Sequence, residues 1–262
     1  MGALHPGHVE LISTAAELAD LVIVSIFVNP LQFGEQGDFD HYPRPLEDDL
    51  RACDEAGVEA VYVPTATAMY AGDFSTTVRV AGLSDTMEGA SRPGHFDGVS
   101  TVVTKLFAAT RPDVAVFGEK DYQQLAIVRR LTRDLDLGVE IVGHPIVREE
   151  DGLAMSSRNR RLTDPQRRAA VCMPTAISSA VERATTPGST VSDVLDVARG
   201  VIDEQPLAAL DYVEVFDSTS LRPLERFDEV QRHPGAARIA IAARFGDIRL
   251  IDNADLFASW GR

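Results

Sequence analysis

Four short apolar runs, alternating with helix-patterned segments, constrain this chain more than any other feature. Leu21–Val28 (LVIVSIFV), Val58–Val63, Asp113–Phe117 (DVAVF) and Val139–Val142 all have strand length. The first and third are apolar on both faces, the pattern of a parallel strand covered on two sides. Helical spacing fills the intervals: 8–20, with Leu11, Ala15, Leu18 and Ala19 on one stripe; Pro45–Ala56, ended by Gly57; Asp97–Thr110, stopped by Arg111-Pro112; and Asp121–Leu135. Parallel strands need crossover connections, usually helices. The alternation therefore predicts an α/β fold with a parallel sheet and helices on both faces. Residues 75–80 (STTVRV) are expected as a shorter, partly exposed strand.

The pattern changes after about Val147. A polar loop, Arg148–Arg161, leads to a helix that Asp164-Pro165 should open, with Asp164 as N-cap. Pro174 should kink that helix or mark a break. Thr190–Glu204 reads as another helix, with Thr190 and Asp193 as a capping box. Leu210–Phe216, Ala237–Ala243 and Ile248–Ile251 read as strands. The expected organisation is a domain over residues 1–147 and a smaller α+β domain over 148–262.

Composition narrows the functional classes. The 262 residues are 45% hydrophobic, enough for sizeable cores without staples. Two cysteines, Cys53 and Cys172, provide neither a disulfide framework nor metal-ligand spacing, so a reducing, cytoplasmic setting and no protein metal site are expected. No run reaches the roughly 18 apolar residues of a membrane span. A net charge of −15 makes the chain a poor partner for nucleic acid or anionic lipid. Cations that hold an anionic substrate must be gathered locally, and Lys105 and Lys120 are the only lysines.

Four stretches could carry chemistry. His5-Pro6-Gly7-His8 opens a helix, where unpaired N–H groups and the dipole favour a phosphate; taken alone, it could equally be a solvated histidine pair. Gly118-Glu119-Lys120-Asp121 follows the run DVAVF, and open α/β sheets bind ligands beyond the carboxyl ends of their strands. Asp121 and Gln124 also have capping-box spacing, which explains Asp121 better than Gln124. Met155-Ser156-Ser157-Arg158-Asn159 offers two hydroxyls and a guanidinium on a mobile loop, suited to a phosphate clamp or simply to an interdomain connection. Asn29-Pro30-Leu31-Gln32-Phe33-Gly34 follows the first run, and Gln32 could grip a small polar substrate in bidentate fashion. Asp48 and Asp49 fit a charged helix face better than a metal site. His95 is ambiguous, and His41, His144 and His233 read as structural.

Together MGALHPGH, SIFVNPLQFG, FDHYPR, VFGEKDYQQ and GLAMSSRNR, in that order, closely resemble the pantoate–β-alanine ligase (pantothenate synthetase) family of HxGH nucleotidyltransferases. The resemblance covers nearly the whole chain and weakens after Arg161. It implies a Rossmann-like ATP domain, a C-terminal lid domain and a homodimer. It also implies that ATP and pantoate give pantoyl adenylate and pyrophosphate, and that β-alanine then displaces AMP to give pantothenate. On that resemblance His8, His5, Lys120, Ser156 and Arg158 are catalytic. Met1, Gly2, Ala3, Leu4, His5, His8, Gly118, Glu119, Lys120, Asp121, Val147, Met155, Ser156, Ser157 and Arg158 contact ATP. Gln32 and Gln124 hold pantoate, and Mg2+ rides mainly on the ATP phosphates. Two departures stand out. Pro6 replaces an acidic residue common in the family, and no counterpart of the family's leading strand precedes Met1. The latter implies a chain poorly active or poorly folded by itself. Another HxGH nucleotidyltransferase, or an inactive truncated form, are the alternatives.

Overall fold

The computed structural model describes residues 2–33, 39–40 and 42–259, so the expectations for Met1, Gly34 and His41 lie outside the described residues. The chain divides into two compact units, Met1–Pro145 and Ile146–Arg262, which assigns Val147 to the second.

The first unit contains α1 (Pro6–Leu18), β1 (Ile23–Ser25), α2 (Leu46–Glu55), β2 (Ala60–Tyr62), the short helices α3 (Ala66–Met69) and α4 (Met87–Ser91), α5 (His95–Thr110), β3 (Val114–Gly118), α6 (Tyr122–Asp134) and β4 (Glu140–His144). β1 runs parallel to β2 with Val24 opposite Val61, and β3 parallel to β4 with Val116 opposite Val142. Among the described residues the two pairs are not hydrogen-bonded to each other. The parallel α/β architecture therefore stands, but the strands are less covered than their sequences predict. Ile23 is 41% exposed beside buried Val24, and β3 is half-buried along its length. Each of these strands has one ladder neighbour there, where a central strand would have two.

Residues 75–80 do not form a strand. The Val78 N–H donates instead to Thr101 Oγ1 on α5 at 3.0 Å, so a side chain stands in for a ladder partner. The Asp121/Gln124 capping box does not form either. Asp121 occupies the N-cap of α6 without a side-chain cap bond, and its carboxylate lies 3.8 Å from Lys120 Nζ.

α2 turns Asp49 and Cys53, one helical turn apart, inward. Cys53 joins Leu4, Ile12, Val22, Val24 and Ile26 in a buried cluster. α1 packs on β3, and Leu11 lies under Gly118. The 3-10 turn Pro30–Gln32 after β1 rests on α5 at Gly98. A Cβ there would lie 2.4 Å from the Leu31 carbonyl oxygen and 2.7 Å from the Gln32 nitrogen, so only glycine permits this approach.

The second unit contains α7 (Asp164–Ala170), α8 (Cys172–Thr185) and α9 (Val191–Asp203), then β5 (Ala209–Asp217), β6 (Ala237–Phe245) and β7 (Ile248–Asp255). These strands form an antiparallel sheet in sequence order. Met173, Ile177, Ala180, Val194, Ile202, Ile239 and Ile241 belong to its core. Thr163, not Asp164, caps α7: its N–H donates to Gln166 Oε1 at 2.9 Å. Pro174 sits in the first turn of α8, just after the break at Val171, where its missing N–H removes no helical bond. The Thr190/Asp193 box forms as expected, at 2.8 and 3.1 Å.

Candidate active site

His5 is the N-cap of α1, and its backbone N–H donates to His8 Nδ1 at 3.3 Å. That bond makes Nδ1 an acceptor, so the neutral ring carries its proton on Nε2. The two rings lie 4.0 Å apart. Burial, and next the neighbouring His5, lower the His8 pKa to about 3, so at neutral pH the ring is an uncharged N–H donor. The charges of Asp121 and Lys120 also act on it, in opposite directions. The start of α1 and the turn Glu119–Asp121 after β3 therefore share one neighbourhood. Helix N-terminus, imidazole N–H and ammonium converge there, a donor set suited to phosphate.

The loop ahead of α1 is held from below. The Ala3 and Leu4 amides donate to the Asp49 carboxylate at 2.8 and 2.6 Å, and Asp49 is 2% exposed. The expected charged helix face therefore holds for Asp48 but not for Asp49. Asp48 is exposed beside Arg51, whereas Asp49 belongs to the loop. It also means that the Ala3 and Leu4 amides are engaged within the protein.

A second cluster surrounds Gln32. Buried Asn29 donates through Nδ2 to the Gly98 carbonyl at 3.1 Å and to Gln32 Oε1 at 3.2 Å. Because a carbonyl only accepts, Asn29 presents its nitrogen on this side, and the Gln32 atom it meets is an oxygen. Gln32 keeps its Nε2 donors and a second lone pair on Oε1 for a ligand, so the bidentate expectation stays open. Asn29 Oδ1 accepts from Leu31 N–H and from Tyr70 Oη–H, whose pKa burial raises to about 12. The Gln32 carbonyl accepts from Arg92 at 3.1 Å and from His95 Nδ1 at 2.7 Å. His95 is therefore the opposite tautomer to His8, with Nε2 bare as an acceptor. Burial, then the Arg92 charge, lower its pKa to about 4, and Asp121 acts on this ring as well. Gln124 is half-buried without a hydrogen bond among the described residues, whereas its neighbour Gln123 is buried and fixes residues 83–88 through Leu83, Thr86 and Glu88.

In the second unit, residues 147–155 form a hairpin rather than a loose loop. Met155 N–H donates to the Val147 carbonyl, Arg148 bridges Ala154, and Gly152 makes the turn at φ 86°. Arg148 is clamped to buried Asp252 at 2.7 and 2.9 Å. The 3-10 turn Ser157–Arg161 follows, with Ser156 Oγ accepting the Arg158 N–H at 3.2 Å. Asn159 ties this turn to Glu149 and the Ala154 carbonyl, and Arg167 holds Glu149 and Asp151.

Within the first unit, then, the structure gathers His5, His8, Lys120 and Asp121, with Gln32 on the turn beside His95. The sequence reading missed Asn29, Arg92, Gln123 and the loop-holding role of Asp49. Asn29 carried a usable signal, an Asn-Pro pair that opens a turn.

The family model described as pantoate-beta-alanine ligase matches residues 1–255. The pantothenate synthetase of Pelobacter propionicus is 46% identical over 257 residues, covering 98% of this chain and 88% of the relative. That of Sphingopyxis alaskensis is 50% identical over 253 residues, covering 97% and 88%. The crystal structure of the Thermus thermophilus pantothenate synthetase superposes with a TM-score of 0.93 at 44% identity, covering 98% of this chain and 91% of that one. The Francisella tularensis pantoate-beta-alanine ligase, solved with beta-gamma ATP and beta-alanine, superposes with a TM-score of 0.79 at 31% identity, covering 99% and 88%. The parallel α/β unit followed by an antiparallel one is the architecture of these enzymes.

Proposed function

We propose that this chain, which belongs to the pantoate–β-alanine ligase family, joins pantoate to β-alanine in two steps. The pantoate carboxylate attacks the α-phosphate of ATP and pyrophosphate leaves, giving pantoyl adenylate. The β-alanine amine then attacks the activated carbonyl to form the C–N bond, the acyl C–O bond breaks with its electrons leaving on the AMP phosphate oxygen, and the amine releases a proton. The observation that carries this reading is the convergence of the α1 N-terminus, the His8 N–H and Lys120 at the end of β3.

Two anions must be brought in line for the first step, so positioning and electrostatic stabilisation supply the catalysis. His8 donates through Nε2 to a phosphate oxygen, and Lys120 meets charge that grows on the α-phosphate and leaving pyrophosphate. Gln32 donates to pantoate, with Gln124 as its second amide, and His95 offers Nε2 to a hydroxyl or amine proton. In the same reading Val147, Met155, Ser156, Ser157 and Arg158 of the second unit serve the nucleotide and its phosphates. Water must be kept from the mixed anhydride until the amine attacks.

Magnesium ordinarily accompanies a triphosphate. Among the described residues no group of three or more His, Cys, Asp or Glu could hold it, and Asp49 is already engaged by amides. Phosphate oxygens would therefore carry the ion, which neutralises charge there when bound. A cytoplasmic homodimer completes the proposal.

Rapid-quench mixing of the chain with ATP and pantoate, without β-alanine, tests it. Enzyme-bound pantoyl adenylate and one pyrophosphate should form, and β-alanine should then release AMP and pantothenate. Adenylyl transfer to other acceptors but not to pantoate would overturn the reading.

A further inference from the structure

We infer that Asp49 is a positioning residue that fixes the conformation of the Gly2–His5 loop for nucleotide binding. The inference deepens the proposed function and rests on its assignment of ATP to this loop. Three observations carry it. Asp49 lies on α2, forty-odd residues from the loop, yet both its carboxylate oxygens accept consecutive loop amides, Ala3 at 2.8 Å and Leu4 at 2.6 Å. Carboxylate-to-amide bonds are among the stronger hydrogen bonds, and this carboxylate is 2% exposed. Ala3 has φ 51°, a left-handed conformation that costs a residue with a Cβ energy, and Gly2 has φ 147°. Unaided, the chain would leave this conformation, and the paired acceptor on α2 is what selects it. Finally, Leu4 is buried in the cluster that holds Cys53, one turn beyond Asp49. α2 thus grips the loop by its amides and by the Leu4 side chain, immediately before His5 caps α1.

The consequence is directional. With Ala3 and Leu4 amides drawn inward, their carbonyls and the His5 cap are set in a single arrangement, from which His5 N–H reaches His8 Nδ1. Losing the carboxylate should disturb nucleotide binding and His8 together, while the Gln32 cluster, held by Asn29, Arg92 and His95, keeps its geometry.

The test compares wild type with Asp49→Asn, which preserves shape but opposes one loop amide with a second donor. Amide spectra should show Ala3 and Leu4 protons far downfield in wild type and shifted upfield in the variant. By titration calorimetry, ATP affinity should fall at least tenfold, while the KM for pantoate changes less than threefold. Adding Ala3→Gly to Asp49→Asn relieves the left-handed strain and should recover part of the ATP affinity; a purely structural role for α2 would not respond to it. If Asp49→Asn does not fold, Asp49→Glu, which keeps the charge and displaces it by one methylene, takes its place in each comparison. Unchanged amide shifts with unchanged ATP affinity would overturn the inference, as would equal losses for ATP and pantoate with no rescue. A wild-type chain that binds ATP but forms no pantoyl adenylate would overturn the proposed function instead, since the amide and affinity measurements need no turnover.

Discussion

Acid should unfold the first unit through its two neutral histidines, and the size of the effect follows from their surroundings. The folded-state pKa is lowered from 6.5 to about 3 at His8 and to about 4 at His95, chiefly by burial. Above pH 6.5 both rings are neutral whether the chain is folded or not, and the histidines contribute no pH dependence. Below it the unfolded chain takes up two protons that the folded chain refuses. Stability therefore falls by about 1.4 kcal/mol per pH unit for each ring, down to its folded pKa. At pH 4.5 the loss is about 2.5 kcal/mol per histidine, a large fraction of ordinary domain stability. Urea unfolding from pH 7.5 to 4.5 should be measured for wild type, His8→Gln and His95→Gln. Carboxylate titrations are common to all three and cancel in the differences. Each variant should lose stability more slowly on acidification than wild type, so that its deficit at pH 7.5 shrinks or reverses by pH 4.5. Profiles that remain parallel within about 0.5 kcal/mol would refute the assignment of buried, neutral rings.

His8→Ala and Lys120→Ala should each slow single-turnover formation of pantoyl adenylate by about 10²–10³, the loss expected for one transition-state donor; wild-type rates would remove both from the site. Gln32→Ala and Gln124→Ala should raise the KM for pantoate well above any change in that for ATP, because a small hydroxy acid has few groups to hold; an effect confined to the ATP KM would relocate pantoate. Gly98→Ala should destabilise the protein by about 1–3 kcal/mol in urea and displace the Gln32 turn, as a Cβ cannot fit 2.4 Å from the Leu31 carbonyl. Neutral stability with an unchanged pantoate KM would contradict that packing.

The parallel architecture was legible because strand and helix periodicities are local properties. So were the places of HxGH and GEKD at element boundaries, which chain order reveals. What escaped were bonds between segments distant in sequence. Nothing in LEDDL says which aspartate turns inward, yet Asp49 meets amides more than forty residues away. Gln123 and Gln124 are adjacent, and only the helix phase of α6 decides that the first is buried under residues 83–88 while the second is left open. The stretch 75–80 has strand composition but lacks a ladder partner, and a threonine side chain took its amide. The capping box at Asp121 failed for a related reason: the carboxylate lies beside Lys120 and makes no side-chain cap bond.

In the proposed function an acidic chain handles a triphosphate, an electrostatic problem that the first unit answers without accumulating positive charge. Lys120 lies beside Asp121, and Arg92 lies 4.0 Å from Glu88. His8 and His95 are neutral, and Asp49 is a carboxylate directly beneath the loop. Long-range attraction for an anion is weak in such a neighbourhood, especially on a molecule of net charge −15. What remains is the positive end of the α1 dipole and short-range donors fixed in direction: the Nε2–H of His8 held by the His5 amide, and the Gln32 amide oriented by Asn29. Donors of this kind lose little on reorganisation, and they act most strongly where charge develops during the reaction. The same arrangement gives His8 a conditional acidity. An anion arriving at its Nε2–H favours the protonated ring and opposes the burial that holds its pKa near 3. In the proposed reading, bound phosphate would therefore raise the His8 pKa from its low value in the free chain.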